Sequence, residues 1–408
     1  MRSTPALLPF IALTIILLSR PTRAQTTDPT PIDYSTRLTG DWSGYRRQLA
    51  DKGIDLQLSF VADGTKNLTG GLDTAGTASR TLVDLRLTLD TQPLVGLAGG
   101  TVYLDFQTTQ GKNASDHLTG DLQGIDNLDA VPGAADQNRT QLSQLWYQQS
   151  LWDDKLQLKF GKADVNADFD HLDSAQEFIH QSYGSSATLF TLPTYPDPAI
   201  GLSVFFEPQP DWRFAFGIHD GSLADDIPTG ELGPAPYFHH TGDVFLMAEI
   251  DKSWSEKTLP GRAGVGGWYS TNSFTRLDGH QADGTGGPYA LFEQTLWRSN
   301  PQSLTLFLMY GYGDPSILPY DHNLGAGLAF TGPIPARKDD VVGVGIQAIH
   351  FSDDYNATAD YEIDYELFYR IQLTPWFYVK PDVQYIQNPG GQGTPDALAV
   401  TLRAQIDF

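Results

Sequence analysis

The 408-residue sequence contains no cysteine, so neither a disulfide framework nor a thiolate metal site can form. Positive charge is scarce: 26 Lys and Arg stand against 49 Asp and Glu, a formal net charge of -23. Such a chain repels phosphate backbones, which argues against nucleic acid as a partner. Past the first residues there is no run of about 18 apolar residues, so no helix is expected to span a membrane. A Gly-x-Ser-x-Gly elbow and a phosphate-binding glycine loop are also missing. What is plentiful is glycine and aromatics, with 40 Gly, 21 Phe, 18 Tyr and 8 Trp. A soluble all-β protein fits these facts. So does a transmembrane barrel, whose polar lumen hides its membrane character from mean hydropathy.

Met1-Arg2, the apolar run over 6–18 and the small-x-small site Thr22-Arg23-Ala24 have the pattern of a secretory signal peptide cleaved after Ala24. Residues 25–35, rich in Thr, Pro and Asp, read as a leader. "LTGDWSGYRRQLADKG" (38–53) is the one helical stretch, with Asp41 as a cap, Tyr45 and Leu49 four apart, and Gly53 at the C′ position.

From Ile54 onward the period changes from about 3.6 to 2. In "IDLQLSF", Ile54, Leu56, Leu58 and Phe60 share one face and Asp55, Gln57 and Ser59 the other. "VDLRLTLD" sets Val83, Leu85, Leu87 and Leu89 against Asp84, Arg86, Thr88 and Asp90, and "VYLDFQ" sets Val102, Leu104 and Phe106 against Tyr103, Asp105 and Gln107. Continued along the chain, the alternation predicts about sixteen strands. They fall near 54–66, 80–93, 100–110, 141–152, 155–167, 197–208, 211–221, 242–254, 261–273, 287–299, 302–313, 321–332, 340–352, 361–374, 376–387 and 397–408. Very short connections near Asp153, Asp211 and 374–376 alternate with long ones over 111–140, 168–198, 221–241 and 352–360. Alternating short turns and long loops are what an up-and-down membrane barrel needs. A strand of about 10 residues crosses the bilayer at barrel tilt, which leaves no room for a second domain.

Alternation alone does not say whether the apolar face meets a core or lipid, and a soluble sandwich or lipocalin-like barrel has the same period. Three features favour lipid. Several segments exceed the length usual in globular sheets. Aromatics gather at strand ends, as in Trp376, Phe377 and Tyr378, or Tyr289, Phe292 and Trp297. The opposite face is charged rather than merely polar, with Glu362, Asp364, Glu366 and Arg370 in one segment and Lys380, Asp382 and Gln384 in the next. The final segment "AVTLRAQIDF" alternates to its end at Phe408, with Arg403 and Asp407 on the polar face, and is expected to pair with the first strand near Ile54 and close the barrel.

These segments resemble the carbohydrate-selective outer-membrane porins of the OprB type. The resemblance covers nearly the whole chain after residue 24. It is carried by "LTGDWSGYRRQLADKGIDLQLSF" (38–60), "LQLKFGKADVNADF" (156–169), "LPTYPDPAIGLSVFFEP" (192–208) and above all "YELFYRIQLTPWFYVKPDVQYIQNPGG" (365–391). It implies an all-β fold: a transmembrane antiparallel up-and-down barrel of about sixteen strands, with a short N-terminal helix near the periplasmic mouth and inward-folding loops. The domain reading is then 1–24 signal peptide, 25–53 leader and short periplasmic helix, and 54–408 barrel. The implied function is passive diffusion of glucose-like mono- or oligosaccharides across the bacterial outer membrane. A non-selective or cation-preferring general porin is the alternative, since an acidic wall favours cations. An enzyme is not expected, although paired carboxylates such as Glu362 and Glu366 are present. Sugars, outer-membrane lipid and lipopolysaccharide are the expected partners, together with the barrel-assembly machinery through Phe408. The chain is read as a monomer or a homotrimer.

A sugar pore needs donors and acceptors on its wall to replace water around hydroxyls. The lumen candidates are Asp84, Arg86, Asp105, Gln157, Lys159, Glu362, Glu366, Arg370, Lys380, Asp382, Gln384 and Arg403. Each is equally a candidate for cross-strand pairing within the wall. The loop over 168–198 carries Phe178, His180, Tyr183, Phe190 and Tyr195 and is the candidate constriction, an external cap being the other possibility. No cofactor or metal is expected. His239-His240 and "DDYNATAD" (353–360) have ligand-type residues without the spacing of a metal site.

Overall fold

A computed structural model describes residues 33–128, 138–231, 242–256 and 259–408. The proposed signal peptide and His239-His240 lie outside the described residues. Sixteen antiparallel strands, each hydrogen-bonded to its neighbours in sequence, form a closed barrel in which β16 returns to β1. The strands are β1 (Ile54–Thr69), β2 (Ala78–Asp90), β3 (Gly100–Gly111), β4 (Arg139–Leu151), β5 (Leu156–Ala163), β6 (Ala199–Gln209), β7 (Trp212–Asp220) and β8 (Val244–Glu256). They continue as β9 (Leu259–Thr275), β10 (Gln281–Ser299), β11 (Gln302–Tyr312), β12 (Tyr320–Thr331), β13 (Val341–Phe351), β14 (Tyr361–Thr374), β15 (Phe377–Gln387) and β16 (Ala397–Asp407). Closure leaves no open edge, the only way a sheet satisfies all its backbone groups in lipid.

Alternation places the apolar side chains outward. Val83, Leu85, Phe106, Phe160, Val265, Leu324, Val344, Leu367 and Leu402 are exposed, while their neighbours in sequence turn into the lumen. Trp152, Trp212 and Trp297 stand at the turn end of this surface, and Tyr310, Tyr361, Tyr365 and Tyr385 toward the loop end, as interfacial girdles do. Among the described residues no helix is long and apolar enough to cross a membrane.

Five details differ from expectation. The stretch 38–53 is mostly not α-helical: a 3₁₀ turn (Trp42–Gly44) precedes α1 (Tyr45–Ala50), whose N-cap is Gly44 rather than Asp41. Asp41 instead accepts from the Arg47 amide at 3.1 Å. The second strand, expected to run to residue 93, ends at Asp90, which caps a second short helix, α2 (Thr91–Val95), by accepting from the Gln92 amide at 2.9 Å. β5 stops at Ala163 because Val165 and Phe169 turn into the barrel interior. β10 starts at Gln281, since the glycine-rich "ADGTGG" forms a bulge at Gly284 (φ 80°) and pairing continues beyond it. Finally, β16 meets β1 in the register Ser59↔Asp407, while Ile54 pairs with Leu89 of β2. The stagger of tilted strands carries the seam past the start of β1.

The loop over 164–198 folds into the barrel. Its Phe169, Phe178, Tyr183, Leu189 and Leu192 pack with inward-facing Phe205, Phe245, Met247, Tyr289, Phe307 and Phe368 in one apolar cluster. Phe178 sits edge-on to Phe307 (5.3 Å) and Phe368 (4.9 Å), and its burial stabilises the inward loop by about 1.5–3 kcal/mol. Glycines on β13 make room for it. A Cβ on Gly345 would stand 2.3 Å from the Tyr183 hydroxyl and 2.8 Å from Phe178 Cε1. The loop after β3 also turns inward, packing Ala114, Leu118 and Ile125 against Ala78, Ile386, Ala397 and Ala399.

Candidate permeation pathway

The inner wall divides into two halves. From β6 to β13 much of it is covered by the apolar cluster under the 164–198 loop. From β14 through β1 to β5 it is lined by charge. On this second half all the sequence-predicted lumen residues point inward, and the structure sorts them by what they touch.

One group holds loops to the wall. Glu362, fully buried, accepts from the amides of Leu122 (3.0 Å), Gln123 (3.2 Å) and Gly390 (2.7 Å). Glu366 accepts from the amides of Ile179 (2.7 Å) and His180 (3.1 Å). Gln384 donates to the Ile125 carbonyl at 2.8 Å and to Asp382 at 3.0 Å. Lys380 donates to the Glu177 carbonyl at 2.5 Å, and Arg370 pairs with the Glu177 carboxylate at 3.2 Å. Arg403 holds both oxygens of Asp63 and reaches Asp126 at 3.2 Å, while Arg80 reaches the other oxygen of Asp126 at 2.5 Å. Burial acts to raise the Asp126 carboxyl, but Arg80 and Arg403 outweigh it and hold the group below its ordinary value, so this loop carboxylate stays ionised in its clamp.

A second group forms a band across β2 to β5. Arg86 is exposed to the lumen and pairs with buried Asp84. Asp105 accepts from Gln107 (3.2 Å) and Gln144 (3.1 Å). Tyr103 and Trp146 stack with ring centroids 4.8 Å apart. Lys159 lies 4.5 Å over Trp146 and bonds both oxygens of Asp168, at 2.7 and 2.8 Å. Gln157 accepts from Gln148 at 3.1 Å. The band thus alternates cation, aromatic pair and cation, backed by carboxylates and amides.

The constriction candidates lie on the inward loop, with side chains that mostly face the wall. Phe178, His180 and Tyr183 are all buried, whereas Phe190 is partly exposed. Burial pushes the His180 imidazole down to about 3, so it is neutral at physiological pH. Its Nε2 stands 3.9 Å from Asp364. The Tyr195 hydroxyl reaches the Leu128 carbonyl at 3.5 Å.

Sequence reasoning did not single out Tyr103, Trp146, Asp126 or Glu177. Trp146 shares an inward face with Gln144 and Gln148, but an extra residue at Ser143 interrupts the alternation just before it. Asp126 and Glu177 sit in loops, where no period marks them.

A closed barrel of sixteen antiparallel strands, short turns at one end, long loops at the other and a loop folded into a charged lumen define a porin, a channel rather than an enzyme. The chain belongs to the carbohydrate-selective porin family OprB, whose family model matches residues 74–408. It is similar to Porin B of Pseudomonas aeruginosa, 26% identical over 420 residues that cover 91% of each chain. In fold it is similar to the high-pH structure of Pseudomonas putida OprB, with a TM-score of 0.82 and 23% identity, covering 93% of this chain and 100% of that one. It also resembles the outer-membrane channel DcaP of Acinetobacter baumannii, with a TM-score of 0.51 and 13% identity over 87% of this chain and 97% of that one. Family and fold together place the protein in the bacterial outer membrane, with the short turns on the periplasmic side.

Proposed function

We propose that the protein passes glucose-like mono- or oligosaccharides by passive diffusion through its lumen. The observation that carries this reading is the band from Arg86 through Tyr103 and Trp146 to Lys159, with Asp84, Asp105, Gln144 and Gln148 beside it. Guanidinium and carboxylate groups bond neighbouring hydroxyls in pairs and replace the water a sugar sheds. Cations are matched there by carboxylates, so the band offers hydrogen bonds without a strong net field. Such contacts are individually weak, and a conducting pore needs release as much as binding. Glu362, Glu366, Lys380, Asp382, Gln384 and Arg403 shape this path by holding the loops that narrow it, and Arg370 borders it beside Glu177. Export by a signal peptide cleaved near Ala24, contact with lipopolysaccharide, and recognition of Phe408 during barrel assembly belong to the same reading, for a monomer or a homotrimer.

The test is electrical. In planar bilayers the purified protein is expected to conduct ions and to lose current saturably as glucose or a short oligosaccharide is added. Liposome swelling with sugars of graded size then ranks the solutes. Conductance indifferent to every sugar, with a reversal potential favouring cations in a salt gradient, would replace this reading with a general porin.

A further inference from the structure

Beside the Lys159 end of the Arg86 band, β6 to β9 and the lowest part of the inward loop enclose a recess of about 310 Å³ at the turn end. Ala167, Asp168 and His171 line it from the loop; Glu207, Arg213, Asp251, Ser253 and Arg262 line it from the wall; Pro210 and Trp212 add apolar surface. Its volume lies at the lower end of the range of about 300–1,000 Å³ typical of small-ligand sites.

The charges around it cancel in pairs. Arg213 bonds Glu249 at 3.0 Å and Asp251 at 2.9 Å; Arg262 bonds the same two carboxylates at 3.1 and 2.8 Å. Asp168 is neutralised by Lys159 at 2.7 Å, and Asp211 by Lys252. Among the described residues that line the recess, Glu207 is the one acid without a cation partner, which gives an anion no reason to reside there and a cation only a weak one.

What the recess does offer is fixed hydrogen-bonding geometry. Arg213 donates to the Asp168 carbonyl at 2.5 Å and Arg262 to the His171 carbonyl at 2.8 Å, so both guanidiniums tie loop to wall and are immobilised. Groups held this way lose little freedom when a ligand arrives. The Ser253 hydroxyl and the Glu207 carboxylate have no hydrogen-bond or ion-pair partner in the described chain, and the His171 imidazole touches only exposed Asp173, at 3.3 Å. A neutral solute rich in hydroxyls matches this set, because it both donates and accepts and brings no charge to desolvate.

We infer that this recess is a second, periplasmic-side subsite for a neutral polyol, adjoining the Arg86 band through the Lys159–Asp168 ion pair and occupied as a sugar leaves the pore. The inference rests on the sugar-porin reading. It is tested with the full-length protein in planar bilayers, with glucose added to the turn side alone. The unaltered pore should show two saturable steps of current block. Ser253→Trp, which fills the recess from the wall, and Ala167→Trp, which fills it from the loop, should each remove one step and leave the other. His171→Ala, which fills nothing, should shift that same step to higher glucose concentration. A folded band with an unchanged heat-induced electrophoretic shift certifies that each variant is intact. Two steps that survive all three substitutions, or a single step from the outset, would overturn the subsite and leave the porin reading standing. Absence of any block would overturn the porin reading itself.

Discussion

Arg46 Nη2 donates to the main-chain oxygen of Phe408 at 2.8 Å, tying the helix before the first strand to the residue that follows the last strand. Arg46 also donates to the Gly40 carbonyl at 3.2 Å and lies 4.2 Å over the Trp42 ring. Two backbone bonds flank the contact, from Leu38 to the Asp407 carbonyl (2.7 Å) and from Phe408 to the Leu58 carbonyl (2.8 Å). The N-terminal turn therefore covers the end of β16, where the stagger of the seam leaves backbone groups without a strand partner.

Arg46→Ala should loosen this closure. Losing a buried charged donor costs about 1.5–3 kcal/mol. The expected outcome is earlier heat unfolding of the barrel, read as a lower temperature for the electrophoretic shift from folded to unfolded band. Single-channel conductance should stay unchanged, because Arg46 stands outside the permeation band.

Glu366→Ala removes the acceptor that holds the Ile179 and His180 amides to β14. Two buried amides are left unpaired, each costing about 1–3 kcal/mol. The loop should detach transiently, giving a larger and noisier single-channel current. Glu366→Gln keeps one acceptor oxygen and should fall between the two. Arg403→Ala acts by the same logic on the other loop, since Asp63 and Asp126 would be left buried with less compensation.

Gly345→Val tests the groove on β13. The new side chain meets the Tyr183 hydroxyl and Phe178, whose ring is already packed against Phe307 and Phe368. Overpacking of this kind costs about 1–3 kcal/mol and is relieved by moving the loop rather than the hydrogen-bonded wall. Conductance should rise, and sugar block should weaken because the passage is wider.

The alternation of period two made the strands legible, because one face meets lipid along nearly the whole length of the barrel. Most strand ends lie within three residues of expectation, and the clearest miss, at β10, is a glycine bulge that imitates a turn. The inward face was legible only as a face. Nothing in the spacing separates Arg86, which looks into the lumen, from Glu366, which is covered by a loop: both are charged residues at alternate positions. That difference depends on where 164–198 comes to rest. Its resting place is set by Phe178 and Tyr183 meeting glycines of β13 that are more than 150 residues away in sequence.

Arg86→Ala addresses the lumen-exposed cation directly. Asp84 loses its partner, and a solute loses a paired donor worth about 1.5–3 kcal/mol. The glucose concentration for half-maximal block should rise about tenfold or more, since each 1.4 kcal/mol is a factor of ten. Barrel stability should fall as well, because Asp84 is left buried without its cation.

Asp170 supplies a pH prediction for the inward loop. It accepts from the Ser186 amide at 2.7 Å and its own amide donates to Glu249 at 2.8 Å. Burial, with Glu249 nearby, raises its carboxyl from 3.8 to about 8, against the opposing effects of the Ser186 bond and Arg262. With the loop released, Asp170 ionises near 3.8; with the loop packed, it stays protonated until about 8. The released loop therefore binds fewer protons than the packed one between these values, and the packed state loses stability as pH rises through that window. Asp170→Asn keeps an acceptor for Ser186 and removes the titration. Open-channel noise should increase from pH 5 to pH 8 in the unaltered protein and change less in the variant. Equal pH dependence in both would show that Asp170 does not govern loop packing.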